Sequence, residues 1–194
     1  MMKITLDTSC MDDSVKDLRD NLVSMQNKKQ IQLYMDQEPF EEKQNWCSEQ
    51  LKTHLKKLEQ LSWMLSNVNS DDMYAKEIPE GCSLEDVLTN NIEEIGKIYK
   101  KVRNIHSPEF RDDKIKHFRD LSDKKQINKY NDWMILSKHI IKKRDFFVTL
   151  NTTDFIYDGK NDRRKIFQDE FKEYGLKIRE LNKDFLKELG GIIK

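Results

Sequence analysis

Side chains that can hold a divalent cation stand at three separate places in the chain. Asp7 follows a short apolar stretch, Asp132 stands at the head of an amphipathic segment, and Asn151 and Asp154 follow a second apolar stretch. Carboxylates brought together repel one another, so a cluster of them usually persists because hard divalent cations neutralise it. If the fold brings these residues together, they form a candidate site for Mg²⁺ or Mn²⁺.

Short strands are expected to position these residues. Lys3 to Leu6 alternates polar and apolar side chains, and Phe146 to Val148 is a continuous apolar run, both of which are typical of strands. Two further strands are predicted at residues 31–35 and 176–179. In an open sheet the first strand and a later one can be neighbours where the strand order reverses, which would bring Asp7 and Asn151 to one crevice.

Helical segments separate the predicted strands. Amphipathic or capped patterns indicate helices over residues 14–25, 39–65, 84–102, 109–121, 163–174 and 182–189, together with a helix that Asp132 opens. This order predicts a parallel α/β sheet covered by helices on both faces. No strand is predicted between residues 50 and 120. We therefore expect one domain over residues 1–194, with a helical elaboration at about residues 50–125.

The composition argues against several classes of protein. Lys and Arg number 35, as do Asp and Glu, so the formal net charge is zero and no global field attracts nucleic acid or anionic membranes. The three cysteines form no Cys-x-x-Cys pair, which favours a reducing cytoplasm over a disulfide framework or a zinc knuckle. No window approaches the roughly 18 apolar residues of a membrane span, and the N-terminus lacks the apolar core of an export signal. A cytoplasmic protein with no membrane partner is expected.

Three separate motifs, in the same order along the chain, resemble those of PIN-domain nucleases. They are ITLDTS (residues 4–9), DWMILSKHI (132–140) and FFVTLNTTDF (146–155). VapC-type toxins within the family are the most similar, since many carry Thr-x-Asn-x-x-acid-Phe, which is matched here by Thr149, Asn151, Asp154 and Phe155. The resemblance covers about the first 45 and the last 70 residues. It implies a PIN-like α/β/α sandwich with an enlarged helical middle region.

The resemblance also implies a metal-dependent chemistry. The carboxylates of Asp7, Glu42, Asp132 and Asp154 would hold one or two Mg²⁺ or Mn²⁺ ions for the hydrolysis of RNA phosphodiester bonds. Glu42 is chosen as the second acid by its place after the second predicted strand, with Glu41 and Glu38 as alternatives. Thr149 and Asn151 would bind substrate, by ordering a metal-bound water or the scissile phosphate through hydrogen bonds.

Partners are likewise implied by the resemblance. RNA is the expected substrate, gripped by basic side chains from one of two groups: Lys138, Lys142, Lys143 and Arg144, or Arg163, Arg164 and Lys165. Toxin-like members commonly act as homodimers that an antitoxin protein inhibits. A second copy of the chain and an antitoxin protein are therefore both candidate partners. The RNA target and its cleavage site are open as well.

A second hypothesis is a catalytically weakened PIN-like protein that serves as a protein or RNA interaction module. It is motivated by Asn151, which stands where many members of the family have Asp, and by the unsettled choice of Glu42. Taken one at a time, the acids also have ordinary roles: Asp7 and Asp132 as helix caps, and Asn151 with Asp154 in a polar turn. The histidines have no metal-ligand spacing and are expected at the surface or packed inside: His54, His106, His117 and His139.

Overall fold

The computed structural model describes residues 1–35, 69–70, 93–108, 124–158 and 161–193. The strands are Met2–Leu6 (β1), Ile31–Met35 (β2), Asn69–Ser70 (β3), Phe146–Thr149 (β4), Tyr157–Asp158 (β5), Asn161–Asp162 (β6) and Ile178–Glu180 (β7). The helices are Lys16–Asn27 (α1), Glu93–His106 (α2), Lys124–Ile141 (α3), Thr152–Phe155 (α4), Arg163–Glu170 (α5) and Lys183–Ile192 (α6), with short 3-10 helices at Thr8–Met11, Asp13–Val15 and Lys172–Tyr174. Glu42, Glu41 and Glu38 lie outside the described residues, as does most of the predicted helical elaboration.

A five-stranded parallel sheet organises the fold, with the strand order β3-β2-β1-β4-β7. β1 is central, because Ile4 pairs with Leu33 on one side and with Phe146 on the other. The chain builds outward from β1 to β2 and β3, and later places β4 and β7 on the opposite side. The order therefore reverses between β1 and β4, which is where ligands bind in open parallel sheets. The prediction of an α/β protein with a parallel sheet is confirmed.

The chain divides into two compact units, and the first contains this sheet with α1 and α6 (residues 1–72, 144–152 and 177–194). Alternate side chains of a strand point to the same face, and the buried ones form one apolar layer: Ile4, Leu6, Ile31, Leu33, Met35, Phe146 and Val148. Leu22 of α1 and Phe185 and Leu189 of α6 belong to the same buried cluster. Truncating one such fully buried side chain to alanine costs about 2–5 kcal/mol.

Local hydrogen bonds fix where α6 begins and hold it to the sheet. The side chain of Asn182 accepts a hydrogen bond of 3.0 Å from the N–H of Phe185, which caps the first turn of α6. Arg179 of β7 forms two hydrogen bonds with the carboxylate of Glu188 on α6, of 2.8 and 2.9 Å. A planar guanidinium fits a carboxylate in this paired geometry, so the pair also fixes direction.

The second unit contains α2, α3, α5 and the β5–β6 hairpin (residues 73–143 and 153–176). α2 packs on α3, and Tyr99 meets the edge of the Trp133 ring with centroids 6.4 Å apart. Gly175 directly follows the helix predicted over residues 163–174, which is typical of a C-cap, and with a positive φ of 70° it ends the 3-10 helix Lys172–Tyr174. No helix within the described ranges combines the length and the apolar character needed to cross a lipid bilayer.

Three local predictions are wrong. β3 lies where no strand is predicted, and it pairs with β2 through Tyr34 and Asn69. Two residues are too few to produce a periodic pattern. Asp132 does not open a helix, because α3 begins at Lys124 and continues through residue 132 without a break. The expected polar turn before Phe155 is instead the short helix α4.

Candidate functional site

Asp7 lies at the point where the strand order reverses, at the carboxyl end of β1. Its N–H donates to the carbonyl oxygen of Val148 on β4 over 2.8 Å, which keeps the two strand ends side by side. Its carboxylate oxygen Oδ2 accepts hydrogen bonds from Thr149 Oγ1 at 2.7 Å and from Ser9 Oγ at 2.5 Å. The residue is only 2% exposed. Asp7 is therefore held by one hydroxyl from each of the two segments that meet at this edge.

The same two hydroxyls order the chain that follows β4. Ser9 Oγ accepts the N–H of Leu150 at 2.8 Å, and Thr149 Oγ1 accepts the N–H of Asn151 at 2.8 Å. A hydroxyl can donate one hydrogen bond and accept others, so each oxygen serves the carboxylate and a backbone amide together. We call Asp7, Ser9 and Thr149 the acid–hydroxyl cluster. Sequence reasoning did not give Ser9 a site role, although its place two residues after Asp7 offered a signal.

Burial raises the pKa of Asp7 above its ordinary value of 3.8. The hydroxyls of Ser9 and Thr149 and the backbone N–H groups of Thr8 and Ser9 act in the opposite direction, because they favour the ionised carboxylate. Desolvation is the larger effect. Part of the cost of burying the ionised carboxylate is therefore left uncompensated by its hydrogen bonds. Carboxylate oxygen is a hard ligand of the kind that Mg²⁺ and Mn²⁺ accept.

The second unit brings together His106, Asp132 and Asp154. One possible ligand atom from each lies within 4.8 Å of the others, and the imidazole Nε2 is 3.5 Å from Asp132 Oδ2. The side chain of His106 is 0% exposed and that of Asp132 is 18% exposed. His106 ends α2, Asp132 lies within α3, and Asp154 lies in α4. We call these three residues the His–Asp–Asp group.

Each acid of the His–Asp–Asp group is followed by a buried aromatic residue that contacts the imidazole. Trp133 and Phe155 place their rings edge-on to His106, with centroids 6.4 and 5.2 Å away. Trp133 also donates its indole N–H to His106 Nδ1 at 3.0 Å. Aromatic packing of this kind fixes the orientation of the imidazole and, through the chain, the positions of the two carboxylates.

Several basic residues considered for RNA binding are buried or have partners within the protein. Arg144 is buried, stacks on the Tyr34 ring with its guanidinium carbon 3.8 Å from the centroid, and donates to Thr5 Oγ1 at 3.1 Å. Arg163 donates to the carbonyl oxygen of His106 at 2.8 Å, at the end of α2. Lys138 is buried within α3. Lys142 and Lys143 are exposed.

The predicted site residues thus occupy two places. Asp7 and Thr149 are joined in the first unit, where the backbone of Asn151 is bound to Thr149. Asp132 and Asp154 meet in the second unit, with a histidine that sequence reasoning placed among packed or surface residues. His106 is packed, and its partners come from distant helices, so spacing in the sequence gave no signal for it. Convergence of the four predicted acids stays a prediction, since Glu42 lies outside the described residues.

The fold and these two groups define an α/β protein with a parallel sheet and polar side chains at its switch point. No protein-family model, no curated protein and no solved structure matches the chain.

Proposed function

We propose that the protein is a divalent-metal-dependent ribonuclease of the PIN type, with the sheet as the centre of an α/β/α sandwich. The observation that carries the proposal is the hydrogen bond between Asp7 and Thr149, one residue from each side of the switch point. Two of the motifs that resemble the family lie at this edge of the sheet. The proximity of Asp132 and Asp154 gives further support, because they belong to the second and third motifs of the same resemblance.

The residues of each group fit a hard divalent cation, because Asp7 in the first unit and Asp132 with Asp154 in the second offer carboxylate oxygens. A bound Mg²⁺ or Mn²⁺ ion supplies a more acidic water and neutralises charge on the phosphate oxygens. The chain's own contribution is orientation. Ser9 and Thr149 fix the Asp7 carboxylate, and Thr149 also positions the backbone N–H of Asn151. The side-chain amide of Asn151 can donate a hydrogen bond to a phosphate oxygen, which suits this residue to bind substrate.

Cleavage of RNA by matched variants tests this proposal. Wild-type protein is expected to hydrolyse RNA when Mg²⁺ or Mn²⁺ is added and to stop when the metal is chelated. Asp7→Asn and Asp132→Asn are expected to lower the rate by about a hundredfold or more. Asp169→Asn, which changes an exposed carboxylate on α5, is the control and keeps the wild-type rate. Metal-dependent cleavage that survives both Asp7→Asn and Asp132→Asn contradicts the proposal.

A second candidate is a PIN-like module that binds protein or RNA without efficient catalysis. It is favoured by the surroundings of Asp7, which is almost fully buried. Its Oδ2 already accepts hydrogen bonds from two hydroxyl groups. Thermal unfolding with increasing Mn²⁺ separates the two candidates. A saturable rise in the midpoint that Asp132→Asn abolishes supports the nuclease, whereas binding of RNA without cleavage supports the module. An antitoxin-like protein and a second copy of the chain belong to the proposal as partners, on the family resemblance alone.

A further inference from the structure

The separation of His106 from Asp132 fits two ligands of one cation better than a hydrogen bond. Nε2 and Oδ2 are 3.5 Å apart. Hydrogen bonds from nitrogen to oxygen are usually about 2.7–3.2 Å long. Two ligands that each lie about 2.0–2.2 Å from a metal ion are separated by roughly 3.0–3.5 Å. Because the ligand atoms of His106, Asp132 and Asp154 all lie within 4.8 Å of one another, a shared ion requires shifts on the order of half an ångström.

The buried end of the imidazole has one neighbour, the Ser107 hydroxyl, that can accept a proton from Nδ1. Nδ1 lies 3.0 Å from the indole nitrogen of Trp133 and 2.7 Å from Ser107 Oγ, while Trp133 is 3.3 Å from the same hydroxyl. Ligands of a metal through Nε2 carry their proton on Nδ1 and donate it to a neighbour. Ser107 can accept that proton and the indole N–H together. The same three side chains therefore accommodate both neutral tautomers of His106.

The orientation of the ring has one consequence for ligand binding. With Nδ1 held by Trp133 and Ser107, Nε2 is the nitrogen on the side of Asp132. The side chain of His106 is fully buried, and the rings of Trp133 and Phe155 pack against it. Rotation of the imidazole away from the carboxylates is thus opposed by packing on two sides. A rigid nitrogen beside two carboxylates is a preorganised ligand set.

A nitrogen ligand changes which cation the group prefers. Mg²⁺ favours oxygen ligands and retains several waters, whereas imidazole suits first-row transition ions. The family resemblance by itself implies a site made of carboxylates. We propose that His106 is a metal ligand together with Asp132 and Asp154, and that this group binds Mn²⁺ and other first-row transition ions more tightly than Mg²⁺. The inference rests on the proposed function, since it names the cation that Asp132 and Asp154 would hold, but binding of the ion does not require cleavage of RNA.

Pulsed electron paramagnetic resonance of the full chain with Mn²⁺ alone tests the assignment. A directly bound imidazole nitrogen modulates the electron spin echo of Mn²⁺, which a purely structural histidine does not do. Wild-type protein is expected to show this modulation, and His106→Gln is expected to lose it while still binding Mn²⁺ at higher concentration. His139→Gln changes another buried histidine, which lies in α3 outside the His–Asp–Asp group, and serves as the control that keeps the signal.

Affinity supplies a second measurement. Titration of chelator-treated protein is expected to give Mn²⁺ binding on the order of tenfold tighter than Mg²⁺ binding, a difference that His106→Gln removes. If His106→Gln fails to fold, Asp154→Asn replaces it, because its partly exposed side chain can be changed without opening the interior; this variant weakens both ions. Bound Mn²⁺ without nitrogen modulation in the wild type overturns the inference, and so does a signal that persists in folded His106→Gln. Absence of Mn²⁺ binding at millimolar concentration overturns it as well.

The outcomes for the site and for the function can be told apart. If RNA cleavage depends on Mn²⁺ but the bound Mn²⁺ shows no nitrogen modulation, the proposed nuclease is supported and His106 is not a ligand of its metal. If the bound Mn²⁺ shows nitrogen modulation but no RNA is cleaved, His106 is a metal ligand and the nuclease proposal is contradicted.

Discussion

Trp133 donates its indole N–H to Nδ1 of His106 across 3.0 Å, one residue after the acid whose carboxylate faces the other side of the same imidazole. An indole can only donate, so in this arrangement Nδ1 accepts and a neutral ring carries its proton on Nε2. Metal binding through Nε2 requires the opposite tautomer. Trp133 therefore favours the metal-free form of His106, and Ser107 favours the metal-bound form.

Substitutions at these two residues should act on metal affinity in opposite directions. Ser107→Ala removes the acceptor for Nδ1–H and is expected to weaken Mn²⁺ binding about 10–100-fold. Trp133→Phe keeps a ring in place but removes the competing donor, so Mn²⁺ affinity is expected to stay equal or rise, with a loss of about 1 kcal/mol in the free energy of unfolding. Mn²⁺ titration and urea denaturation measure the two effects. Equal weakening by both substitutions would contradict the tautomer explanation.

Ser9 should contribute measurably to stability through the acid–hydroxyl cluster. Ser9→Ala removes a donor to Asp7 and an acceptor for the N–H of Leu150, so the free energy of unfolding is expected to fall by about 1–3 kcal/mol. Thr8→Ala is the matched control, since the Thr8 hydroxyl makes no hydrogen bond within the part of the chain that the structure describes. It should change stability by less than about 0.5 kcal/mol. Denaturant unfolding of both variants checks this, and equal losses would show that the cluster is not the cause.

The Asp7 carboxylate is expected to lower the free energy of unfolding although RNA cleavage requires it. In chelator-treated protein, Asp7→Asn replaces a buried carboxylate by an uncharged side chain of similar size. Its carbonyl oxygen can still accept a hydrogen bond from a hydroxyl group. The free energy of unfolding at neutral pH should rise, by about 1 kcal/mol, while RNA cleavage is lost. Asp20→Asn, at an exposed position of α1, should leave stability close to that of the wild type. A large loss of stability in Asp7→Asn would instead mean that the ionised carboxylate is needed by the fold.

Glu188 should give part of the stability a dependence on pH. The hydrogen bonds from Arg179 hold the pKa of Glu188 below its ordinary value of 4.5, against a smaller opposing effect of burial. A lowered folded-state pKa stabilises the protein above pH 4.5, and this contribution is lost as the pH falls through the lowered value. At pH 7 Glu188→Gln is expected to lower the free energy of unfolding by about 0.5 kcal/mol, a small figure because both side chains are partly exposed to screening solvent. The difference should vanish in strong acid.

Urea unfolding in steps from pH 7 to pH 3 measures that dependence. Lys187→Gln on the same helix is the control, because its ion pair with Asp184 joins side chains that are 79% and 86% exposed. No measurable change is expected from it at any pH. A constant difference between Glu188→Gln and wild type across the range would mean that packing, and not charge, explains the effect of the substitution.

The sequence indicated four of the five strands of the sheet, because β1 and β2 alternate polar and apolar side chains and β4 is a continuous apolar run. Placing Asp7 beside the chain after β4 required only the rule that parallel strands end at one edge, and the Asp7–Thr149 hydrogen bond agrees with it. The caps Asn182 and Gly175 were equally readable, since each has a local role that its own neighbours determine. Local chemistry and strand ends therefore carried most of the correct predictions.

The His–Asp–Asp group could not be read in the same way. His106 meets Asp132 and Asp154 because α2 packs on α3 and because Trp133 and Phe155 pack on the imidazole. These contacts depend on tertiary packing, which leaves no fixed spacing in the chain. The error at the start of α3 has a related cause, since its first turns are polar and show no apolar stripe.

The hydrogen bond between Asp7 and Thr149 joins residues that are 142 positions apart. β1 can pair with β2 early in synthesis, because both strands lie within the first 35 residues. Its other edge can pair only after β4 has been synthesised, so the central pair of strands forms late. Contacts between distant residues form slowly, because the entropy of closing the intervening loop is lost before the contacts stabilise the chain. During translation the acid–hydroxyl cluster cannot assemble until β4 has left the ribosome. A nuclease built on this cluster would remain inert as a nascent chain, even while the mRNA that encodes it lies within reach.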